Sequence, residues 1–347
     1  MKTETSKHLK QINKIKAQLL QFDIKQQNGM CWADIIAKDP QHGLKKWHEQ
    51  SKKANIERSV IESKLQNSIE EYRNIKLAEI KTMDFKYYCS ICLIIRDENE
   101  YLEEWLNWHI GQGVEHFYIY DHGSKEPVAE FVKNLAKEIE NKITLIDFSG
   151  THENAQLEAY NDCLKQFATE SYWIGFIDAD EMVRVKNGKL LSEFLKDYED
   201  YAGVMAQWVL YDAGGQVKKT DKPLRERFIN ISPADKQYNL GKVFLQSLLT
   251  LRMVIHNGYA IEYFNIVDEQ KAILADGIVE IPTKDRDLIC VDHYFTKSYE
   301  EWIEKIKRGS CDPNYNRRYL EFFRYNPDMI HCKEDFNFMQ EYEVSTK

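Results

Sequence analysis

Residues 171–184 read Ser-Tyr-Trp-Ile-Gly-Phe-Ile-Asp-Ala-Asp-Glu-Met-Val-Arg, and this stretch decides the fold. A short apolar run at 172–177 ends abruptly in three carboxylates, Asp178, Asp180 and Glu181. The pattern predicts a buried strand, and open α/β sheets bind ligands just outside the carboxyl ends of their strands. On an extended segment Asp178 and Asp180 share a face, where they repel each other unless a cation lies between them. The turn is therefore a candidate site for a divalent ion that holds substrate phosphates, with a solvated turn as the alternative.

The chain around this turn alternates between strand and helix patterns. Upstream, strands are predicted at 87–95, 116–120 and 143–148, with helices at about 100–111, 127–140 and 153–167. Short connections between such elements predict a parallel, doubly wound sheet, and so an α/β fold. Downstream, strands are expected at 202–210, 228–231, 243–255 and 259–264, and helices at 299–308 and 315–325. Few helices separate these later strands, which predicts an α+β half beside the sheet.

Residues 1–85 form a different region, rich in Lys and Gln, with apolar residues at helical spacing. We expect two or three helices there, one of them running from about 42 to 82. The region holds 16 Lys and Arg against 11 Asp and Glu. Three roles stay open for this helical extension: a structural addition, a coiled coil that makes a homo-oligomer, or peripheral contact with an anionic membrane surface.

Bulk composition excludes several classes of protein. The net charge of −9 over 347 residues argues against a nucleic-acid binder, which needs a basic face. Seven cysteines without framework spacing indicate a reducing compartment, and we read Cys89 and Cys92 as core residues of a strand, not zinc ligands. No signal-peptide pattern opens the sequence, and its longest aliphatic run is about five residues, against the roughly 20 that a membrane span needs. These features predict a cytoplasmic protein, at most peripheral at the inner face of a membrane.

Two polar groups share the predicted ligand-binding edge with the acidic turn. Arg96, Asp97 and Glu98 follow the first strand, and Asp121 follows the second. Carboxylates at these positions can accept hydrogen bonds from a ribose or a base. The alternative is local capping, in which Asp97 begins a helix and Asp121 closes a turn with Gly123.

A third group lies near the C-terminus. His293 is expected to be exposed at a strand end, where it can complete a metal site otherwise made of oxygen ligands. Lys297, Lys305 and Arg308 follow, and Lys305 and Arg308 share a helical face. Such a cationic cluster suits a diphosphate. A structural histidine and a solvated basic helix end are the alternatives.

Taken in order, these segments resemble a known family. The matching motifs are Arg96-Asp-Glu-Asn-Glu100, Trp105-Leu-Asn-Trp-His109, Phe117-Tyr-Ile-Tyr-Asp121, Gln156 with Ala159-Tyr-Asn-Asp-Cys163, Asp178-Ala-Asp-Glu181, Glu226-Arg-Phe228 and His293-Tyr-Phe-Thr-Lys-Ser298. The sequence resembles glycosyltransferase family 92 and its bacterial relatives among the family-2-like glycosyltransferases of GT-A fold. The resemblance implies a GT-A-type, Rossmann-like nucleotide-sugar-binding sheet at 86–310, with an α+β acceptor half. Residues 1–85 and a C-terminal helix and polar tail at 311–347 lie outside it.

The resemblance also implies a chemistry. It implies a UDP-sugar donor, a glycan or glycolipid acceptor and a divalent metal, Mn²⁺ before Mg²⁺. By this likeness Asp180 and His293 bind the metal, and Asp178 contacts the metal or the ribose. The remaining nucleotide-sugar contacts it implies are Arg96, Asp97, Glu98, Asp121, Gln156, Lys297, Lys305 and Arg308.

Members of the family invert the anomeric centre, which requires a base on the acceptor hydroxyl. Asp212, on a Gly-rich loop, and Glu226 are the candidates, and Glu226 could instead pair with a neighbouring Arg. Trp208, Tyr211 and Tyr294 are candidate platforms for a sugar ring, and His256 could touch the acceptor. Core packing is the alternative for Trp208 and His256.

We therefore expect a metal-dependent inverting glycosyltransferase of surface polysaccharide or lipopolysaccharide synthesis. Two other functions remain open. One is a degenerate GT-A module that binds or assembles. The other is a sugar nucleotidyltransferase, which would want a Gly-rich basic loop where residues 96–100 are acidic and lack glycine.

Overall fold

A computed structural model describes residues 2–29, 35, 37–278, 280–281, 286–310 and 317–331. The chain divides into two compact units, Met1–Asp84 and Phe85–Lys347. Helices α1 (Lys2–Gly29) and α2 (Gly43–Lys81) form the first unit. They run antiparallel, because Thr5 bonds Glu79 near one end of the pair and Asp23 bonds Arg58 near the other. The long helix predicted at 42–82 is α2. No helix among the described residues has the length and apolarity to cross a membrane.

The second unit begins with the predicted α/β alternation. Strands β1 (Tyr87–Ile95), β2 (His116–Asp121), β3 (Ile143–Asp147) and β4 (Ser171–Phe176) are parallel and lie in the order β3-β2-β1-β4. Helices α3 (Asn99–Gly111), α4 (Val128–Val132), α5 (Lys137–Glu140) and α6 (Ala155–Phe167) connect them. The α/β class and all four strands are confirmed. Cys89 and Cys92 are fully buried free thiols of β1, also as predicted.

The single helix predicted at 127–140 is wrong, because α4 and α5 are separate. The side-chain amide of Asn134 donates to the carbonyl of Glu130, at 2.9 Å. A continuing helix needs that carbonyl for the backbone N–H of Asn134, which bonds Phe131 instead. An Asn side chain that competes for backbone groups in this way ends a helix.

Later strands extend the sheet beyond β4. They are β5 (Glu181–Val185), β6 (Gly203–Leu210), β7 (Gly241–Gln246), β10 (Ile266–Val267), β11 (Ile273–Leu274) and β12 (Ile289–His293), while β8 (Thr250–Met253) and β9 (Gly258–Ala260) form a separate ribbon. Strand β7 is antiparallel to both β4 and β6. Strand β12 runs parallel to β6 and antiparallel to β5. The carboxyl ends of β4, β6 and β12 therefore meet at one edge. Gly175 permits the β4–β7 contact, since an added Cβ would lie 2.3 Å from the ring of Phe244.

The later α-helices are α7 (Leu191–Lys196), α8 (Leu224–Arg227), α9 (Tyr299–Arg308) and α10 (Glu321–Tyr325). Short 3-10 helices lie at Pro233–Gln237 and Pro327–His331. Several predicted elements need correction. No strand covers 228–231, where Ile231 makes only an isolated bridge to Tyr211. The strand predicted at 243–255 is broken by a 3-10 turn at Ser247–Leu249, and the one at 259–264 ends at Ala260. Helix α10 covers only the second half of 315–325; residues 311–316 and the tail at 332–347 lie outside the described residues.

Helix α3 donates hydrogen bonds to the backbone at the acidic turn, residues 178–181, and just after it. Its apolar face buries Leu102, Trp105 and Leu106 completely, as its helical periodicity predicts. The indole N–H of Trp105 donates to the carbonyl of Asp178, at 2.9 Å. Trp108 donates in the same way to Val183, at 2.6 Å. These bonds fix the backbone on both sides of the turn, and so the direction in which its carboxylates point.

Candidate active site

A cavity of about 510 Å³ opens at the edge where the strands end. This volume lies within the roughly 300–1,000 Å³ that is usual for small-molecule sites. The charged side chains of its lining are Arg96, Glu98, Asp178, Asp180, Lys305, Arg308, Arg317, Glu321 and Arg324. Another part is largely apolar and includes Trp208, Leu210, Leu240, Ile255 and His256. Gln156 and His293 also line it, so most of the predicted site residues meet in one place.

Asp180 is buried at the centre of the charged part. Its Oδ2 accepts a hydrogen bond from Lys305 Nζ at 2.5 Å, and Lys297 Nζ lies 3.8 Å from the same oxygen. Burial alone would raise the pKa of this carboxyl, but Lys305, Lys297 and His293 hold it well below its usual range. Asp180 is therefore a carboxylate at neutral pH. Among the described residues, no side chain donates a hydrogen bond to its Oδ1.

His293 faces that oxygen. It ends β12, opposite Glu181 in the antiparallel register. The ring is 5% exposed, so the expectation of an exposed histidine is wrong. Burial lowers the pKa of His293 to about 3, and the imidazole is neutral at pH 7. Its Nε2 lies 3.7 Å from Asp180 Oδ1. A neutral imidazole nitrogen and a carboxylate oxygen at this separation can bind the same ion at roughly 2 Å each.

Asp178 has different surroundings. Its Oδ1 accepts hydrogen bonds from Gln156 Nε2 at 2.9 Å and from Tyr160 OH at 2.8 Å. Its Oδ2 accepts one from Lys242 Nζ, also at 2.8 Å. Both oxygens already have donors, and no three His, Cys, Asp or Glu side chains within the described ranges form a metal-binding group. Of the predicted metal-binding set, Asp180 and His293 lie close together, and a metal contact by Asp178 stays a prediction.

Lys242 was missed by the sequence reasoning. It lies on β7 and is fully buried, with its ammonium 3.5 Å from Glu181 as well as bonded to Asp178. Burial alone would lower the pKa of Lys242, but the two carboxylates raise it above its usual value. The available signal is a single lysine inside the otherwise apolar run Gly241-Lys-Val-Phe-Leu245. A charge there requires a buried partner.

Glu181 lies behind the cavity and does not line it. Its Oε2 accepts the backbone N–H of Asp178 at 2.9 Å. Its Oε1 has no hydrogen-bond partner among the described residues. Complete burial raises the pKa of Glu181 to about 8, helped by Asp178 and Asp180 and opposed by Lys242. Glu181 therefore supports the shape of the turn.

The predicted cations converge on Glu98 and Asp180. Lys297 Nζ and Arg308 Nη2 each lie 2.9 Å from Glu98 Oε1. Burial, together with Lys297, lowers the pKa of Lys305 to about 8, although Asp180 opposes this shift. The cations are held in place because Ser298 and Glu301 form a capping box that begins α9. Lys305 and Arg308 line the cavity, whereas Lys297 lies behind it.

Besides Lys297, four predicted site residues do not line the cavity. The carboxylate of Asp121 accepts backbone N–H groups of Ser124 and Val128, and that of Asp97 accepts the N–H of Lys125. Both carboxylates thus make the capping contacts of the alternative, and their contact with a nucleotide stays a prediction. Asp212 accepts the N–H of Gly214 within its own loop. Glu226 lines a separate concavity beside Trp108. Neither proposed base lines the main cavity, and their catalytic role stays a prediction.

Comparison with known proteins agrees with the resemblance. The sequence model of glycosyltransferase family 92 matches residues 86–279. The glycosyltransferase family 92 protein RCOM_0530710 of Ricinus communis is 26% identical over 117 residues, 34% of this chain and 21% of its own length. Galactan beta-1,4-galactosyltransferase GALS3 of Arabidopsis thaliana is 29% identical, covering 35% of this chain and 26% of its own. The chain thus spans about a fifth to a quarter of these relatives.

Among solved structures, the galactosyltransferase LgtC in complex with donor and acceptor sugar analogues is similar to part of the chain. It covers 34% of this chain and 46% of its own, at 17% identity and a TM-score of 0.24.

Proposed function

The chain belongs to glycosyltransferase family 92, and we propose that it transfers a sugar from a UDP-sugar to a glycan acceptor with the help of a divalent ion, Mn²⁺ before Mg²⁺. One observation carries the proposal: a buried carboxylate and a neutral imidazole, Asp180 and His293, lie 3.7 Å apart beside cavity-lining Lys305 and Arg308. A metal held by one or two protein groups usually takes its remaining ligands from substrate phosphates and water.

The charges around the cavity suit a diphosphate. Three carboxylates, Glu98, Asp178 and Asp180, lie against four basic groups, Lys242, Lys297, Lys305 and Arg308. Glu181 adds little negative charge at pH 7, because burial raises its pKa to about 8. Arg96, Arg317 and Arg324 also line the cavity, against one further carboxylate, Glu321. Basic groups therefore exceed carboxylates before a donor enters, and a bound divalent ion would add to the positive charge that meets its diphosphate.

The chain's own residues then have distinct tasks. The bound metal would supply Lewis-acid stabilisation of the leaving diphosphate. Lys305 and Arg308 present fixed positive charge where charge develops as the sugar–phosphate bond breaks. Glu98 holds the Arg308 guanidinium and the Lys297 ammonium in position. Asp178, fixed by three donors, presents a preorganised acceptor to a hydroxyl of the donor.

We further propose direct displacement with inversion and a polysaccharide acceptor. The acceptor oxygen would attack the anomeric carbon as the bond to the diphosphate breaks, and the hydroxyl proton would pass to a base. The proposal does not assign that base to Asp212 or Glu226, since neither lines the cavity. The name of the GALS3 relative, a galactan galactosyltransferase, makes a polysaccharide the acceptor class to test first.

The test is calorimetric titration of UDP with Mn²⁺ and with a chelator. We expect binding to be at least about tenfold tighter with Mn²⁺, and Asp180→Asn to remove that gain, because loss of a metal-binding group usually costs metal affinity of this order or more. Asp147→Asn is the matched control, since Asp147 ends the neighbouring strand β3 and does not line the cavity. Equal affinity of the unmutated protein in both conditions would refute the metal bridge.

A further inference from the structure

The largely apolar part of the cavity lining differs in chemistry from the part that the cationic helix α9 provides. Trp208 and Leu210 of β6 lie there with Leu240, Ile255 and His256. This wall carries no acidic or basic side chain other than the imidazole of His256. A phosphate therefore has nothing to pair with on it, and a ligand with an apolar face suits it better.

Trp208 is the centre of this wall. Its ring lies between two imidazoles, 4.5 Å from the ring centre of His293 and 5.0 Å from that of His256. The His256 ring meets it edge-on, at 84°. The indole N–H is buried and has no hydrogen-bond partner among the described residues. A buried donor of this kind usually has a partner, so its exception at a cavity wall points to a missing ligand or water.

His256 also has a buried polar atom without a hydrogen-bond partner among the described residues. Its ring is partly exposed and lines the cavity, while its Nδ1 is buried without a hydrogen-bond partner in the described part of the chain. Burial, with a contribution from Lys242, places the pKa of His256 well below its usual value, so the ring is neutral at pH 7. A neutral imidazole offers one donor and one acceptor. This suits a hydroxyl group and gives no charge to hold an anion.

We propose that Trp208 and His256 form the seat of a sugar ring, with the apolar face of the ring against the indole and a hydroxyl bonded to the imidazole. The inference rests on the proposed function, since a glycosyltransferase brings two sugars to one cavity. The contact of Trp208 with His293 places the seat next to the proposed metal site. The occupant is the sugar being transferred or the sugar that receives it, and both share this chemistry.

The experiment compares three ligands on four proteins, all with Mn²⁺. The ligands are UDP, UDP-galactose and methyl β-galactoside, the first two followed by calorimetry and the third by saturation-transfer NMR. The proteins are the unmutated chain, Trp208→Leu, His256→Ala and His116→Ala. His116 is the matched control, a buried histidine whose pKa is also lowered by burial, on β2 outside the cavity. Melting curves check folding, and Trp208→Phe replaces Trp208→Leu if the latter does not fold.

We expect both seat variants to bind UDP as the unmutated chain does and to bind one galactose ligand about three- to tenfold more weakly, the loss that one neutral hydrogen bond or ring contact brings. Weaker UDP-galactose binding identifies the transferred sugar, and weaker methyl galactoside binding identifies the receiving sugar. Unchanged affinities, or equal losses for UDP and UDP-galactose, would overturn the seat. So would failure of the unmutated chain to bind any sugar in a panel of UDP-hexoses and methyl hexosides. A chain that binds a methyl hexoside through these residues but does not bind UDP would keep the seat and refute the proposed function.

Discussion

Asp178 and Asp180 lie two residues apart in one turn, yet the structure surrounds them differently. Asp178 receives three hydrogen bonds from Gln156 and Tyr160 of α6 and from Lys242 of β7. Asp180 faces the C-terminal elements, where Lys305 bonds one oxygen and His293 lies near the other. The first carboxylate keeps room for one more hydrogen bond, at Oδ2, whereas the second keeps a whole oxygen to which no described side chain donates. Two acidic residues in one motif therefore have separate tasks.

Lys242 stabilises the folded protein through its ion pairs on the Asp178 side of the turn. Replacing it should therefore have the largest effect, a fall in the free energy of unfolding. Lys242→Met leaves Asp178 and Glu181 without their buried cation. Removing one partner of a buried ion pair usually costs about 3–5 kcal/mol. We expect a fall of that order in the free energy of unfolding, measured by urea denaturation.

The matched control for this prediction is Lys189→Met. Lys189 pairs with Asp197 at 3.4 Å on the surface, where both side chains are more than half exposed. Surface pairs contribute less than about 1 kcal/mol. If both lysine variants lost the same small amount of stability, Lys242 would contribute no more than a surface lysine, and the Asp178 side of the turn would not depend on a buried ion pair.

The fold was predictable where the pattern was local. The strands β1 to β4 have short apolar runs, and the turns between them carry polar residues, so their order along the chain suffices for a parallel sheet. Strand β5 was missed because it begins with Glu181 and contains Arg184. The charge of Arg184 is neutralised by the carboxylate of Asp292, which lies 2.7 Å away in space but 108 residues later in the sequence. Pairing over that separation leaves no trace in the local sequence.

The site followed the same rule. Asp180, His293, Lys305 and Arg308 were expected together because strand ends share an edge of the sheet, and because the family resemblance orders them. The contacts of Asp97 and Asp121 could not be predicted from the sequence, since a carboxylate after a strand can equally cap the next turn. Only the positions of Ser124, Lys125 and Val128 decide between these roles.

The effect of Mn²⁺ on UDP affinity should differ between variants of the two carboxylates. Asp178→Asn keeps one oxygen, which can accept either from Lys242 or from Gln156 and Tyr160, and it leaves the Asp180–His293 pair intact. We expect it to retain most of the gain in UDP affinity with Mn²⁺, measured by calorimetry. In Asp180→Asn the loss should be about ten- to a hundredfold, as for other metal-binding groups. Equal losses in the two variants would make the turn a single two-carboxylate metal site.

The smallest expected effect is on the pH dependence of stability and comes from His109. This residue bonds the backbone beside the turn that carries both carboxylates. Its Nδ1 lies 2.8 Å from the carbonyl of Trp105, and its Nε2 accepts the backbone N–H of Val183, so the bonds require a neutral ring. Burial lowers the pKa of His109 to about 3, while the unfolded chain retains about 6.5. Between these values the unfolded state binds the extra proton. The contribution of His109 to stability is therefore complete above pH 6.5 and is lost as the pH falls towards 3.

From pH 7 to pH 5 this linkage amounts to about 2 kcal/mol in the free energy of unfolding. His109→Gln can replace the donor and the acceptor without titrating, so its stability should fall less over that interval by about this amount. His48→Gln, at an exposed position of α2, should keep the slope of the unmutated chain. Urea denaturation at both pH values measures the difference. If His109→Gln kept the full slope, the acidic turn would owe its support to the two indole bonds of α3 and not to a neutral His109.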